Sequence, residues 1–306
     1  MVKGASSLAK NFKISNLAIG LTIVAFGTST PELVVSLISS FTGKNDAAFG
    51  NILGSNNFNI LFILGATGMI YPLVVQKSTI KFEIPLTLFA SILLFVLVKD
   101  SFWSNGSESV LSRLDGFLLL TGFSLFMLYI YKTMKDGVDK EDESIKIFPL
   151  STSLGLIVLG LFMLIGGGKL TVDQAVLIAK EMGLSERFIG LTILAIGTSL
   201  PELVTSVVAA YRKNTDIAIG NVLGSNIFNI LFIMGVSSLI KPIPYNTSMD
   251  FDQYVVMGSS IALLIFMFTI NTRKLDRWEA LLLFLGYITY LLYLIGTIFY
   301  APSKEI

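Results

Sequence analysis

The 306-residue chain has no cysteine and no histidine, and only 14% of its residues are charged. Without cysteine there is no disulfide, no thiolate nucleophile and no thiolate metal centre. Without histidine there is no imidazole triad and no imidazole ligand. Any metal or proton chemistry must therefore run on carboxylates, hydroxyls, amides and carbonyls. Strong charge of one sign is also missing: 22 Lys and Arg stand against 21 Asp and Glu, a net charge of +1 that offers nothing to nucleic acid. What fills the space is apolar, 53% of the residues, against a background of roughly 25% charged residues in soluble domains. A soluble core cannot bury that much, so the chain reads as an all-α polytopic protein of the cell membrane, with the lipid bilayer as its main partner and no soluble domain.

Nine apolar stretches are each long enough to cross a bilayer, which takes about 20 residues. They are expected at approximately 17–42, 47–71, 83–99, 114–131, 148–168, 187–211, 217–240, 253–271 and 278–299. One long polar connection interrupts them, with Asp136, Asp139, Glu141, Asp142 and Glu143. It divides the chain into a first half, 1–131, an acidic linker, 132–147, and a second half, 148–306. A charge run of this kind is a solvated interhelical linker.

The halves repeat one another. Gly20–Gly65 aligns without gaps to Gly190–Gly235 at a constant offset of 170, with 28 of 46 positions identical. Hydrophobic helices share composition by chance; they do not share an order of Gly, Thr, Ser, Pro, Glu and Asn. The second copy is preceded by an apolar span that has no counterpart in the first, because Met1 aligns with Thr171. The expectation is a ten-span protein whose first half is N-terminally truncated here, with about one span's worth of sequence upstream. Equivalent spans are five apart, so they cross in opposite directions and the repeats are inverted, as in many secondary transporters. Placing the linker in the cytoplasm puts 14 Lys and Arg inside and 8 outside, as the positive-inside rule prefers.

Each repeat carries one carboxylate within its first span: Glu32 in Gly27-Thr-Ser-Thr-Pro-Glu and Glu202 in Gly197-Thr-Ser-Leu-Pro-Glu. An ionised group at that depth costs at least ~2.5–3.5 kcal/mol and ordinarily faces a cavity or a pathway. Pro31 and Pro201 have no N–H, so the carbonyls of Gly27 and Gly197 lose their helical partner. Thr28 and Ser29 precede Glu32 by four and three residues, on the same helical side, and Thr198, Ser199 and Glu202 repeat the set.

The second span of each repeat adds a polar stripe: Asn51, Ser55 and Asn59, then Asn221, Ser225 and Asn229, at i, i+4 and i+8. Gly50-x-x-x-Gly54 and Gly220-x-x-x-Gly224 open these helices to close backbone approach. For Asn51 and Asn221, near the span ends, hydrogen bonding between helices is as good a reading as a ligand role. Ser55, Asn59, Ser225 and Asn229 lie deeper and read as ligands. Bringing the inverted repeats together about the midplane gathers two carboxylates, hydroxyls and amides, all hard oxygen donors. Calcium takes about 6–8 oxygens, and two carboxylates neutralise one divalent ion or are shared among monovalent ions after it leaves. Such a site suits Ca²⁺ and Na⁺ in turn; soft metals have nothing to bind.

At these residues, GTSTPE and GTSLPE with the two GNxxGSNxFN segments, the chain resembles the α-repeats of the sodium/calcium exchangers, prokaryotic type, in the calcium/cation antiporter superfamily. The resemblance implies a ten-helix inverted-repeat cation exchanger fold in which a tilted helix pair slides across a core of eight. It implies no enzyme activity, no cofactor and no requirement for an oligomer, with Ca²⁺ and Na⁺ as transported ions. Carried over by motif, Glu32 and Glu202 bind Ca²⁺ and share Na⁺. Thr28, Ser29, Ser55, Thr198, Ser199 and Ser225 become Na⁺ ligands, assisted by the carbonyls of Ala25 and Ala195, and Asn59 and Asn229 line the middle of the site. Potassium-dependent relatives carry Asp at the position of Asn229, which argues against K⁺ co-transport. The rival within the class is a Ca²⁺/H⁺ exchanger using the two Glu as proton carriers, against which the hydroxyl-rich GTS segments count. A cation channel gathers identical subunits about a pore and fits the internal two-fold less well. An intramembrane protease would need a nucleophile elbow or second activated group that does not accompany the duplicated Glu.

Overall fold

The computed structural model describes residues 1–99, 109–134, 147–269 and 271–300. The body of the acidic linker, 135–146, lies outside the described residues. Each expected span is helical. Helix α1 is Val2–Phe12. The first long span is a bent pair, α2 (Asn16–Thr28) and α3 (Thr30–Phe41), with 46° between them. Helix α4 runs over 45–70, followed by α5 (Lys77–Leu97) and α6 (Arg113–Thr133). The second half begins with α7 (Leu150–Glu181). Then come a second bent pair, α8 (Arg187–Thr198) and α9 (Leu200–Tyr211) at 43°, and α10 (Thr215–Ile240), α11 (Thr247–Phe266) and α12 (Arg277–Tyr300). Five helices, α5, α6, α10, α11 and α12, are long and apolar enough to cross a membrane, and the two bent pairs bring the number to seven. The other two expected spans, 47–71 and 148–168, are helical as α4 and the first part of α7.

Three boundaries differ from the sequence expectation. Helix α5 starts at Lys77 rather than near 83, because a turn bearing Lys77 and Lys81 precedes the apolar run and joins it through a distorted Phe82 (φ −129°). Helix α11 is likewise displaced toward its polar start, over Asp250 and Asp252. Helix α7 continues well past Gly168, where the apolar count falls but no helix breaker follows until Gly183, at φ +74°.

The helix starts are conventional. Ser15 caps α2, accepting from Ala18 N at 3.1 Å, and Asn214 caps α10, accepting from Ile217 N at 3.1 Å. Ser112 and Asp115 form a reciprocal capping box on α6. Less ordinary are four π-helical turns at matching places in the two repeats: Gly20–Val24 and Gly190–Leu194, Phe58–Ile63 and Phe228–Met234. Such turns concentrate at functional sites, since they re-aim the side chains that follow.

The two halves interlock. Helix α4 crosses α8 and α10 crosses α2, and the glycines of the GxxxG segments lie at both crossings. Helix α6, last of the first half, packs on α10; helix α12, last of the second, packs on α4. Two short antiparallel ribbons stitch the loops across the same divide. Leu73–Val74 (β1) pairs with Lys274–Leu275 (β4), and Val110–Leu111 (β2) with Ile243–Pro244 (β3). Helix α1 lies along α7, with Ser7 Oγ accepting from Phe148 N at 2.8 Å and from Ser153 Oγ at 2.8 Å.

One ion pair between a half-buried arginine and a fully buried aspartate departs from the two-fold pattern. Arg187 Nη2 meets Asp252 Oδ2 at 2.9 Å, and Tyr290 donates to the other carboxylate oxygen at 2.9 Å. The equivalent positions in the first repeat are Leu17 and Phe82. Removing one partner strands a charge. Arg187→Leu is therefore expected to cost about 3–5 kcal/mol, read as a lowered Tm of the detergent-solubilised protein. Changing both Arg187 and Asp252 to apolar residues of similar volume is expected to recover most of that loss. A single variant as stable as wild type would show the pair to be energetically idle.

Candidate cation site

The site forms where the two bent pairs meet. At each break one serine leaves helical geometry, Ser29 at φ −82°, ψ 8° and Ser199 at φ −86°, ψ 7°. The proline that follows sits in the first turn of the next helix, where a missing N–H costs nothing. Glu32 and Glu202 thus stand in the first turns of α3 and α9, where the positive end of the helix dipole favours a carboxylate. Both are fully buried.

The bend overturns the expectation that Ser29 sits beside Glu32 on one helical face. Ser29 Oγ donates to Glu202 Oε1 at 2.8 Å, and Ser199 Oγ donates to Glu32 Oε1 at 2.9 Å. Each hydroxyl serves the carboxylate of the other repeat, because the chain turns away between serine and glutamate in its own. Ser225 adds a second donor to Glu202 Oε1 at 3.2 Å, whereas Ser55 lies 3.4 Å from Ala195 O and 3.5 Å from Thr198 Oγ1. The carbonyls of Ala25 and Ala195 accept the amides of Ser29 and Ser199 at 2.9 and 3.1 Å, closing the last turn before each break.

Asn51 and Asn221 hold this frame. Asn51 Nδ2 donates to Glu32 O at 3.3 Å and Ser36 Oγ at 3.1 Å, while its Oδ1 accepts from Thr198 Oγ1 at 3.1 Å. Asn221 does the same with Glu202 O, Ser206 Oγ and Thr28 Oγ1, at 3.2, 3.0 and 3.0 Å. With every polar atom engaged, these two amides tie α4 to α3 and α8, and α10 to α9 and α2. Replacing Asn51 by Leu is expected to lower thermal stability by roughly 1–3 kcal/mol, since Thr198, Ser36 and Glu32 O all lose a buried partner. A thermal melt identical to wild type would exclude that positioning role.

Asn59 and Asn229 are held across the repeat boundary by two residues that sequence reasoning missed. Asn59 Nδ2 donates to Asn226 Oδ1 at 2.9 Å, and Asn229 Nδ2 donates to Asn56 Oδ1 at 3.0 Å. Asn56 and Asn226 are related by the same offset of 170, as are Ser36 and Ser206. The duplication itself is therefore the signal that could have found all four.

Four buried oxygens in this cluster lack any hydrogen-bond partner: Glu32 Oε2, Glu202 Oε2, Asn59 Oδ1 and Asn229 Oδ1. A desolvated acceptor with no donor is costly, and a cation of hard character satisfies such oxygens directly. Among the described residues no group of three or more acidic side chains comes together. The charged groups of this cluster are the two carboxylates, and the other oxygens around them are neutral.

Comparison with known proteins points the same way. The sequence model of the family described as "Sodium/calcium exchanger protein" matches residues 1–132 and 152–296. The chain is 39% identical to the "Putative antiporter CaxA" of Alkalimonas amylolytica, over 94% of this chain and 91% of that one. It is 31% identical to the "Sodium/calcium exchanger MaX1" of Methanosarcina acetivorans, over 96% and 93%. Among solved structures, the sodium–calcium exchanger NCX_Mj in crystals soaked with Na⁺ and Sr²⁺ superposes with a TM-score of 0.79 at 32% identity, over 95% of this chain and 91% of that one.

Proposed function

The chain belongs to the sodium/calcium exchanger family, multi-pass membrane transporters rather than enzymes, and from that premise we propose that it exchanges Na⁺ for Ca²⁺ at the two-glutamate site. The observation that carries the reading is the set of four unpartnered oxygens on Glu32, Glu202, Asn59 and Asn229. Two carboxylates balance the charge of one Ca²⁺. When it leaves they serve Na⁺, with Thr28, Ser29, Ser55, Thr198, Ser199 and Ser225 and the Ala25 and Ala195 carbonyls as the neutral oxygens within reach of the same bends. Because Ser29 and Ser199 cross to the opposite repeat's carboxylate, movement of one repeat against the other changes both half-sites together. That is the coupling alternating access needs.

The deciding experiment is radioactive Ca²⁺ uptake into Na⁺-loaded proteoliposomes, with parallel vesicles carrying a pH gradient or a K⁺ gradient in place of Na⁺. Uptake that requires the outward Na⁺ gradient is expected. Uptake driven only by protons would replace Na⁺ coupling by H⁺ coupling, and gradient-independent leakage would mean a channel. In the same assay Asn229→Asp is expected to shift ion selectivity or pH dependence without unfolding the protein, because it places a third charge against two buried carboxylates. Unchanged behaviour across Na⁺, K⁺ and pH would remove Asn229 from the site.

A further inference from the structure

On the face where the chain leaves for the linker at Met134 and returns at Phe148, an open basin of about 930 Å³ lies between α1, the start of α10 and the β1–β4 ribbon. Six basic side chains line it: Lys3, Lys77, Arg212, Lys213, Arg273 and Lys274. Among the described residues Asp216 is the one carboxylate in the lining, and Gln76 Nε2 donates to it at 2.6 Å. Lys274 pairs with Asp276 at 2.9 Å; the other five make no ion pair among the described residues.

The backbone shows that these cations are kept against local preference. Lys213 and Arg273 hold φ values of 60° and 63°, and Lys13 on the same face holds 53°. This left-handed region suits glycine and is unfavourable for a residue with a β-carbon. At the offset of 170, Lys213 corresponds to Gly43 (φ 78°) and Lys13 to Gly183 (φ 74°). The opposite face is marked by the Asn246–Asp46 and Arg187–Asp252 contacts. On that face the same turns use glycine; on the linker face they use lysine. The positive-inside rule asks for basic residues on one side of the membrane, but it does not ask for them in strained turns around one concavity.

We propose that this basin binds a phosphate-bearing anion, supplied either as the headgroup of an anionic phospholipid or as a soluble phosphate. Lys and Arg side chains are the usual partners of phosphate oxygens, and basic pockets at the end of a helical bundle hold anionic headgroups. The inference rests on no property of the two-glutamate site.

The test is native mass spectrometry of the full chain in neutral detergent with phosphatidylglycerol or uncharged phosphatidylcholine, beside equilibrium dialysis with radioactive inorganic phosphate. Phosphatidylglycerol is expected to be retained over phosphatidylcholine by roughly tenfold or more, and retention is expected to weaken as salt is raised. The double variant Lys213→Gly with Arg273→Gly is expected to lose that preference while melting at or above the wild-type temperature, since glycine fits both turns. Retention of inorganic phosphate that displaces phosphatidylglycerol would support the proposal with a soluble source. Equal retention of the two lipids with no bound phosphate would overturn it, as would an anion preference untouched by the double variant. Binding that arises only after Asp136, Asp139, Glu141, Asp142 and Glu143 are changed to amides would also overturn it, in favour of the chain's own linker as the countercharge.

Discussion

Replacing Glu32 or Glu202 by Gln is expected to abolish Ca²⁺ exchange. The substitution keeps shape and leaves an oxygen to accept from Ser199 or from Ser29, at the 2.9 and 2.8 Å positions of the native carboxylates. It removes one of two negative charges in a fully buried cluster. A divalent ion then carries a surplus charge where water cannot screen it, and the loss in Ca²⁺ binding is about 3 kcal/mol, or roughly 100-fold. The measurement is Na⁺-driven Ca²⁺ uptake in proteoliposomes alongside a thermal melt. Uptake should vanish while the melting temperature holds or rises, because relieving repulsion between two close carboxylates favours the ion-free fold. Full Ca²⁺ flux in either variant would dismiss the site. Loss of flux with collapse of the melt would leave the carboxylate as a packing group.

Gly54→Leu and its mate Gly224→Leu are expected to have a large structural effect. A β-carbon at Gly54 would lie 2.5 Å from Leu191 O and 2.6 Å from Ala195 Cβ; one at Gly224 would lie 2.8 Å from Leu21 O and from Ala25 Cβ. The obstacles are backbone and a methyl group with no room to rotate away, so α4 must separate from α8, or α10 from α2. Forcing even one methylene into such a contact costs about 1–3 kcal/mol, and a leucine more. The same displacement pulls Ser55 from Ala195 O and Ser225 from Glu202, so transport should fail together with stability. Gly54→Ala serves as the graded version, with a smaller fall in melting temperature. An alanine variant that melts and transports like wild type would show that the two helices part freely, and the close approach would then be incidental.

Much of this was legible in the residues. Apolar run lengths place helices because lipid forces every backbone polar group to bond within its own segment, so composition alone restricts the architecture. The repeat, its inversion and the pair of glutamates follow from residue order, since five spans between equivalent helices reverse their direction whatever the packing. The chemistry open to the proposed site was legible too, because a chain without His or Cys has only oxygen ligands to offer. The same offset of 170 also repeats Asn56 as Asn226 and Ser36 as Ser206, so the duplication carries these four polar residues as well.

Partnership across the two-fold was not legible. Helical spacing pairs Ser29 with Glu32, whereas a bend of 46° at the serine sends that hydroxyl to Glu202 at 2.8 Å. Sequence lists Asn51 and Asn59 as one stripe, yet packing saturates the first and leaves an oxygen of the second without a partner. The basic basin likewise draws on α1, the loop before α10 and a ribbon joining residues about 200 positions apart. Local order in a chain sets helix type, direction and donor chemistry, because those depend on near neighbours and on the solvent around each segment. Which donor meets which acceptor depends on the angle of a break and the closeness of two backbones, and those exist only once the repeats have packed against each other.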